Sequence, residues 1–324
     1  MIIAVTGATG LIGAALCRQL VQQGYRVRCM VRQSDHSLSG LPVDRVRGSL
    51  QDAAGLEQLC AGAGVLFHAA GLISIGNIPE AELWKTNVAG TGQVITACRK
   101  AGIRRLVYFS SVHAFEAPPS NAVFDETAPP ATRFPYERSK AAAQALVLAA
   151  NGIGGLETIC LNPTSVLGPW DFKPSLQGQM LLDLLAGRIP VLSPGGFDWV
   201  DSRDVAAAAV AAMRNGCPGE AYLISGRFAT LRELAQLIGM VSQRRMPSRT
   251  LPFWFLKSIT PVLEGWSRMS GRKALFTREA LSHVKSGHPE VSHRKASRDF
   301  GYKPRPLEET VQDMYRWFLD HYLK

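Results

Sequence analysis

Two side chains able to move a proton stand four residues apart at the start of a helical stretch: Tyr136 and Lys140, in Tyr136-Glu137-Arg138-Ser139-Lys140. A spacing of i, i+4 puts both on one helix face. There a phenol can give a proton to a carbonyl oxygen, or take it back, while the neighbouring ammonium lowers the phenol's pKa. Ser111 follows the apolar run Arg105–Ser110, which reads as a strand. Its hydroxyl can steady charge developing on the same oxygen. With seven tyrosines in 324 residues, one such pair is weak on its own, since chance yields ~0.2 of them. Its place gives it weight: it follows a strand whose carboxyl end is where open α/β sheets bind ligands.

Proton transfer of this kind needs a hydride partner, and the N-terminus offers a place for one. Thr6-Gly7-Ala8-Thr9-Gly10-Leu11-Ile12-Gly13 joins the first apolar run to the first helical pattern. Gly7 can make a tight turn, Gly10 can let the backbone approach a pyrophosphate, and Gly13 can let the helix pack close to the sheet. The helix N-terminus, with Thr9, Leu11 and Ile12 around it, then faces the negative charge. The second apolar run ends Val31-Arg32-Gln33-Ser34, with Asp35 too late to hold ribose hydroxyls. Arg32 can instead place a planar cation on a 2′-phosphate, so NADP(H) is expected ahead of NAD(H). Ala69-Ala70-Gly71 would leave room for adenine and ribose, and His68 reads as a structural strand-end residue. No H-E-x-x-H motif occurs, and His283, His288 and His293 are spaced by five, so no metal site is expected.

The elements that must position these groups alternate. Strand patterns at Ile2–Thr6, Arg26–Val31, Asp44–Gly48, Val65–Ala70, Arg105–Ser110 and Glu157–Asn162 are mostly separated by helical patterns. The helices read as Leu11–Gln23, Ala54–Ala61, Glu80–Ala101 and Tyr136–Ala150. This order predicts an α/β, doubly wound, parallel-sheet Rossmann fold. Later helical patterns at Ser202–Arg214, Thr230–Ser242, Pro252–Met269 and Leu307–Leu323 suggest a smaller C-terminal substrate lobe. The expected division is 1–165 for the dinucleotide and 166–324 for the substrate, with late strands returning to the main sheet. The composition, 46% hydrophobic and 19% charged, is globular. The six scattered cysteines contain no C-x-x-C pair and no secretory pattern precedes the first strand, so a cytoplasmic enzyme without disulfides is expected. The net charge of +10 comes without any nucleic-acid motif, so no nucleic-acid partner is expected.

Together these residues resemble an extended short-chain dehydrogenase/reductase of the NAD-dependent epimerase/dehydratase superfamily. Asn87-Val88-Ala89-Gly90-Thr91, Asn162-Pro163-Thr164-Ser165-Val166-Leu167-Gly168-Pro169, Val200-Asp201-Ser202-Arg203-Asp204-Val205 and Gly301-Tyr302-Lys303-Pro304 extend the likeness over nearly the whole chain. The nearest branch is the dihydroflavonol 4-reductase-like one, including hopanoid-associated sugar epimerase-like and 3β-hydroxysteroid dehydrogenase-like proteins. The resemblance implies a Ser111, Tyr136, Lys140 triad supported by Asn87, with Pro163 to Val166 lining the nicotinamide. The usual Gly-Asp-Leu of the third strand is Gly48-Ser49-Leu50 here, so the adenine contact would fall to Leu50, through its backbone, or to Asp52.

The family's reactions can be weighed on single residues. Val112 and His113 stand where a 4,6-dehydratase carries an Asp-Glu pair, and Phe197 stands where nucleotide-sugar epimerases grip the diphosphate with arginine. Phenylalanine cannot make that contact. With His113, Phe115 and Trp170 it points to a hydrophobic ketone or aldehyde as substrate. A nucleotide-sugar epimerase and a non-catalytic NADP(H) sensor are the alternatives. The basic, aromatic Pro252–Met269 stretch reads as core helix, substrate lid or membrane-surface helix. Homodimerisation through the helices at 80–101 and 136–150 is an expectation from the superfamily.

Overall fold

The computed structural model describes residues 1–73, 78–258, 260, 284 and 287–323. Its strands are β1 (Ile2–Thr6), β2 (Arg26–Val31), β3 (Val43–Arg47), β4 (Ala63–His68), β5 (Arg105–Phe109), β6 (Glu157–Pro163), β7 (Ser165–Leu167), β8 (Gly196–Asp201), β9 (Glu220–Ile224) and β10 (Arg227–Thr230). Seven of them form a parallel sheet in the order β3-β2-β1-β4-β5-β6-β9. A second sheet, β10-β8-β7, pairs β10 with β8 antiparallel and β8 with β7 parallel. The main sheet is completed by β9, from the second half of the chain.

Strand alternation decides which side chain meets which helix layer. Val65 and Phe67 of β4, and Val107 and Phe109 of β5, share one core with Leu16 and Leu20 of α1 (Leu11–Gln22). The intervening Leu66, Leu106 and Tyr108 belong to the opposite core, with α2 (Ala53–Cys60), α4 (Gly90–Lys100) and α5 (Pro135–Ala149). The sheet thereby turns the polar ends of β4 and β5 toward the helices that carry Thr91 and Lys140.

The stretch expected to be one helix from Glu80 to Ala101 is broken. It runs as a short α3 (Glu80–Leu83), a π-helical segment Trp84–Ala89, then α4. Such segments insert one extra residue per turn and gather at functional sites. Here the segment carries buried Asn87.

The lobe has its own core, in which Leu167 and Trp199 pack against α6 (Leu176–Leu185), α8 (Leu231–Ser242) and α10 (Leu307–His321). Thr230 and Glu233 form the capping box read from the sequence: Glu233 N donates to Thr230 Oγ1 at 3.1 Å and Thr230 N to Glu233 Oε2 at 2.7 Å. The Val200–Val205 motif staples this lobe. Arg203 joins Asp201 (2.7 Å) and Asp313 (2.6 Å), and Arg305 holds Asp204 at 2.9 Å. The intervening α7 (Ser202–Asn215) covers the main sheet beside α1, while α9 (Arg294–Phe300) packs on α7. Residues 253–258 are helical, with Leu256 buried and Trp254 72% exposed. Most of the remainder of the Pro252–Met269 reading, and His283, lie outside the described residues. No helix among the described residues is long and apolar enough to cross a membrane.

Candidate active site

The glycine loop is shaped by close approach. Gly7 has φ +71°, and a Cβ there would lie 2.4 Å from the backbone of Ala69 and Ala70. A Cβ on Gly13 would sit 2.1 Å from the Gly7 carbonyl oxygen. Gly13 therefore lets α1 lie close against the Gly7–Ala8 turn that follows β1. At Gly10 the nearest atom to an added Cβ is 3.5 Å away. Gly10 caps α1 without a side-chain bond, and the first turn holds no acidic residue. An open helix N-terminus over a tight glycine turn fits a pyrophosphate.

Around the adenine end, Arg32 is exposed just beyond β2. Asp35 pairs with Arg45 at 2.8 Å. Leu50 is buried against Gly90, where a Cβ would come within 2.9 Å of its side chain. Asp52 is spoken for: it caps α2 by accepting from Gly55 N at 3.0 Å. Ala69, Ala70 and Gly71 follow β4, Pro163 ends β6 and Val166 lies in β7, all toward the carboxyl edge of the sheet.

Ser111, Tyr136 and Lys140 are 7%, 7% and 4% exposed. Ser111 caps a 3₁₀ turn, Val112–Ala114, by accepting from His113 N at 3.2 Å. Asn162 Nδ2 donates to the Ser111 carbonyl (2.8 Å) and to Gln144 Oε1 (2.6 Å), tying β6 to α5. Pro135 at the first turn and Glu137 reaching back to Phe134 N (3.2 Å) fix the start of α5.

In the protein alone, burial dominates the titration of the pair. Burial pushes the Tyr136 phenol up to about 12, and only a hydrogen bond from Ser111 pulls the other way. Lys140 is not among the groups that shift it here. Its Nζ donates to Tyr108 Oη at 2.8 Å and to the Phe109 carbonyl at 2.9 Å, and burial pushes its own pKa down to about 7. Beyond Tyr108 the polar groups continue. Tyr108 is hydrogen-bonded to Thr91, Thr91 lies 3.0 Å from His68 Nε2, and His68 Nδ1 lies 2.7 Å from Thr6 Oγ1. Burial, and then the Lys140 charge, hold His68 down to about 3, so it is a neutral link. Asn87 clamps the same region: Nδ2 donates to the Leu72 carbonyl and to Ser139 Oγ, each at 3.0 Å, and Oδ1 accepts from Leu72 N at 2.8 Å.

Beside the tyrosine opens a cavity of about 160 Å³. The His113 and Tyr136 rings are 6.3 Å apart, and His113, Phe115 and Phe197 all line the cavity. Trp170, expected to join them, does not. It adopts φ +70° and packs under the Arg18 guanidinium of α1, 5.2 Å from its ring centre. Asp198 and His288 line the cavity too and were not singled out from the sequence. Asp198 sits beside Phe197 in a strand that alternation alone would orient outward, and His288 arrives from a segment without a repeating pattern. Among the described residues no group of three or more His, Cys, Asp or Glu is placed to hold a metal ion.

Known proteins place this architecture. Residues 3–225 match the model of the NAD dependent epimerase/dehydratase family. The chain is 34% identical over 320 residues to "Sterol demethylase protein B" of Methylococcus capsulatus, covering 97% of each. It is 31% identical over 328 residues to a "Putative dihydroflavonol 4-reductase" of Synechocystis, covering 98% of this chain and 94% of that one. The crystal structure of gox2253 superposes with a TM-score of 0.86 at 31% identity, covering 99% of this chain and 98% of that one. The chain belongs to the NAD dependent epimerase/dehydratase family, within the extended short-chain dehydrogenases/reductases, and is an NAD(P)-dependent oxidoreductase.

Proposed function

We propose that this enzyme is an NADP(H)-dependent reductase/dehydrogenase that interconverts a carbonyl and an alcohol on a hydrophobic small molecule. The observation that carries the reading is the cavity next to Tyr136. Phe115, Phe124, Phe134, Phe197 and Val291 give it apolar walls, and by the family resemblance Phe197 stands where nucleotide-sugar epimerases carry a diphosphate-gripping arginine. The names of the two relatives, one a sterol protein and one a dihydroflavonol reductase, support a largely apolar skeleton.

Each residue then has a task. The α1 N-terminus and the Gly7–Gly13 loop hold the pyrophosphate, with Thr9, Leu11 and Ile12 on its rim. Arg32 selects the 2′-phosphate. Leu50 and Ala69 to Gly71 border the adenine and ribose, and Pro163 to Val166 the nicotinamide. When bound, the nicotinamide supplies or accepts the hydride. Tyr136 gives the proton to the carbonyl oxygen in reduction and takes it in oxidation, and Ser111 hydrogen-bonds that oxygen. Lys140 holds the ribose and, when the bound dinucleotide keeps it protonated, supplies positive charge beside the phenol.

NADPH oxidation followed at 340 nm against a panel of hydrophobic ketones and aldehydes tests this. Turnover should appear and should fall about 10²–10⁴-fold in Tyr136→Phe, the span ascribed to one general acid. Interconversion of nucleotide sugars without net cofactor consumption would make it an epimerase. Cofactor binding with neither reaction would make it a sensor.

A further inference from the structure

The cavity has apolar walls, but its lining also holds a charge that the proton transfer does not use. Asp198 lies on β8 between Phe197 and Trp199, is 7% exposed, and lines the cavity. Two donors converge on one of its oxygens: Thr164 Oγ1 and Gly226 N both reach Oδ1, each at 2.7 Å. Among the described residues nothing donates to Oδ2, and that atom is not sealed in protein. A carboxylate this buried costs free energy unless both oxygens are satisfied. Burial pushes its pKa up to about 6, so it is charged at neutral pH, with both bound donors on Oδ1 and the residue lining the cavity.

The surroundings narrow what can answer it. Glu116 and Glu137 also line the cavity, against one exposed arginine, Arg133, and two histidines, His113 and His288. An anionic group brought to this end would meet carboxylates. A hydroxyl or an amine would instead complete the hydrogen bonding of Asp198.

We infer that Asp198 is a specificity-determining residue whose Oδ2 accepts a hydrogen bond from a hydroxyl or amino group of the substrate, remote from the reacting carbonyl. This rests on the carbonyl-reductase reading above and narrows it: the substrate is an apolar ketone or aldehyde that carries a second, donor-bearing polar group. Thr164 and the Gly226 amide are positioning groups that fix the carboxylate.

The test uses acetophenones with a para chain of one to three carbons ending in hydroxyl, in methoxy or in hydrogen. Binding is measured by calorimetry and turnover by NADPH oxidation, on wild type and Asp198→Asn. In wild type the best hydroxyl compound should bind about tenfold or more tighter than its methoxy and hydrogen counterparts, the range for a hydrogen bond to a charged group. In Asp198→Asn the amide turns a donor to the cavity, and the preference for hydroxyl over methoxy should vanish or invert. Wild type that does not separate hydroxyl from hydrogen at any chain length overturns the inference without needing a variant. So does a preference that survives unchanged in a folded Asp198→Asn. Tight, hydroxyl-selective binding without NADPH oxidation would instead leave Asp198 in place and remove the reductase reading.

Discussion

Loading the dinucleotide site should take up a proton, and the amount can be worked from Lys140. Its ammonium is 4% exposed and its neighbours are a phenol oxygen and a carbonyl, neither of which carries a countercharge. With burial holding it at about 7, roughly half of it is neutral at pH 7 and about nine-tenths at pH 8. Ribose oxygens and phosphate charges brought into the site favour the ammonium. If its pKa then passes 9, binding of NADPH should take up about 0.8–0.9 proton at pH 8, about 0.5 at pH 7 and almost none at pH 5.5. Calorimetric titration in buffers of different ionisation enthalpy reads this number directly. At pH 8 the 2′-phosphate, whose second pKa is about 6, is already ionised in solution and contributes little. Lys140→Met should make the measured heat independent of buffer. The sign of the folding linkage is fixed by the same group. Its native pKa lies below its ordinary 10.5, so the unfolded chain binds more protons across that window. The ligand-free fold should therefore gain stability from about pH 7 toward 10.5, by at most roughly 5 kcal/mol. Buffer-independent heats at pH 8 in wild type, or uptake that persists in Lys140→Met, would refute the assignment of a nearly neutral resting lysine.

Three further substitutions test other parts of the site. Arg32→Ala should weaken NADPH about tenfold or more while leaving NADH nearly unchanged, because a charge-assisted contact to a phosphate is lost; equal losses for both would remove its role in selection. Gly13→Ala forces a Cβ to within 2.1 Å of the Gly7 carbonyl, so it should abolish dinucleotide binding by fluorescence titration and lower Tm. Tyr108→Phe removes one acceptor of Lys140 and one partner of Thr91. It should cost about 1–3 kcal/mol in urea unfolding and displace the pH profile of kcat/KM; a profile that stays in place would reduce Tyr108 to packing.

Much of the fold was legible because it rests on short-range pattern. The β1 bounds coincide with the apolar run Ile2–Thr6, and α1 starts at Leu11, directly after the second glycine of the loop. Thr230 with Glu233 announced a helix start through a local capping box. What stayed hidden depends on backbone detail or on distant partners. Nothing in the composition of Trp84–Ala89 signals a π-helical segment, since the pattern of apolar residues continues through it. Trp170 read as a substrate residue because its aromatic surface was visible, whereas the arginine that occupies it, Arg18, lies 152 positions earlier in another element. Tyr108 looked like one apolar residue of a strand. Its hydroxyl matters only because alternation along β5 turns it toward α5, where Lys140 arrives.

The shifts of Tyr136 and Lys140 and the proton-uptake prediction have a common physical root. A phenol near 12 and an amine near 7, both in the same buried site, leave the resting tyrosine neutral and the lysine only about half charged at pH 7 and mostly neutral by pH 8. The neutral forms are the cheap ones in a buried site, because a charge without a partner there costs free energy. Lowering the phenol's pKa requires a charged Lys140, and among the described residues its hydrogen-bond partners, Tyr108 and the Phe109 carbonyl, are neutral acceptors. The sequence motif therefore names the right pair but not the order of events. In reduction the tyrosine must enter protonated, which a pKa near 12 secures. In the reverse direction it must ionise, and that becomes accessible only once the site holds enough negative charge to keep the lysine protonated. Oxidation should accordingly show a steeper rise of kcat/KM with pH than reduction, with Lys140→Met flattening the difference between the two directions.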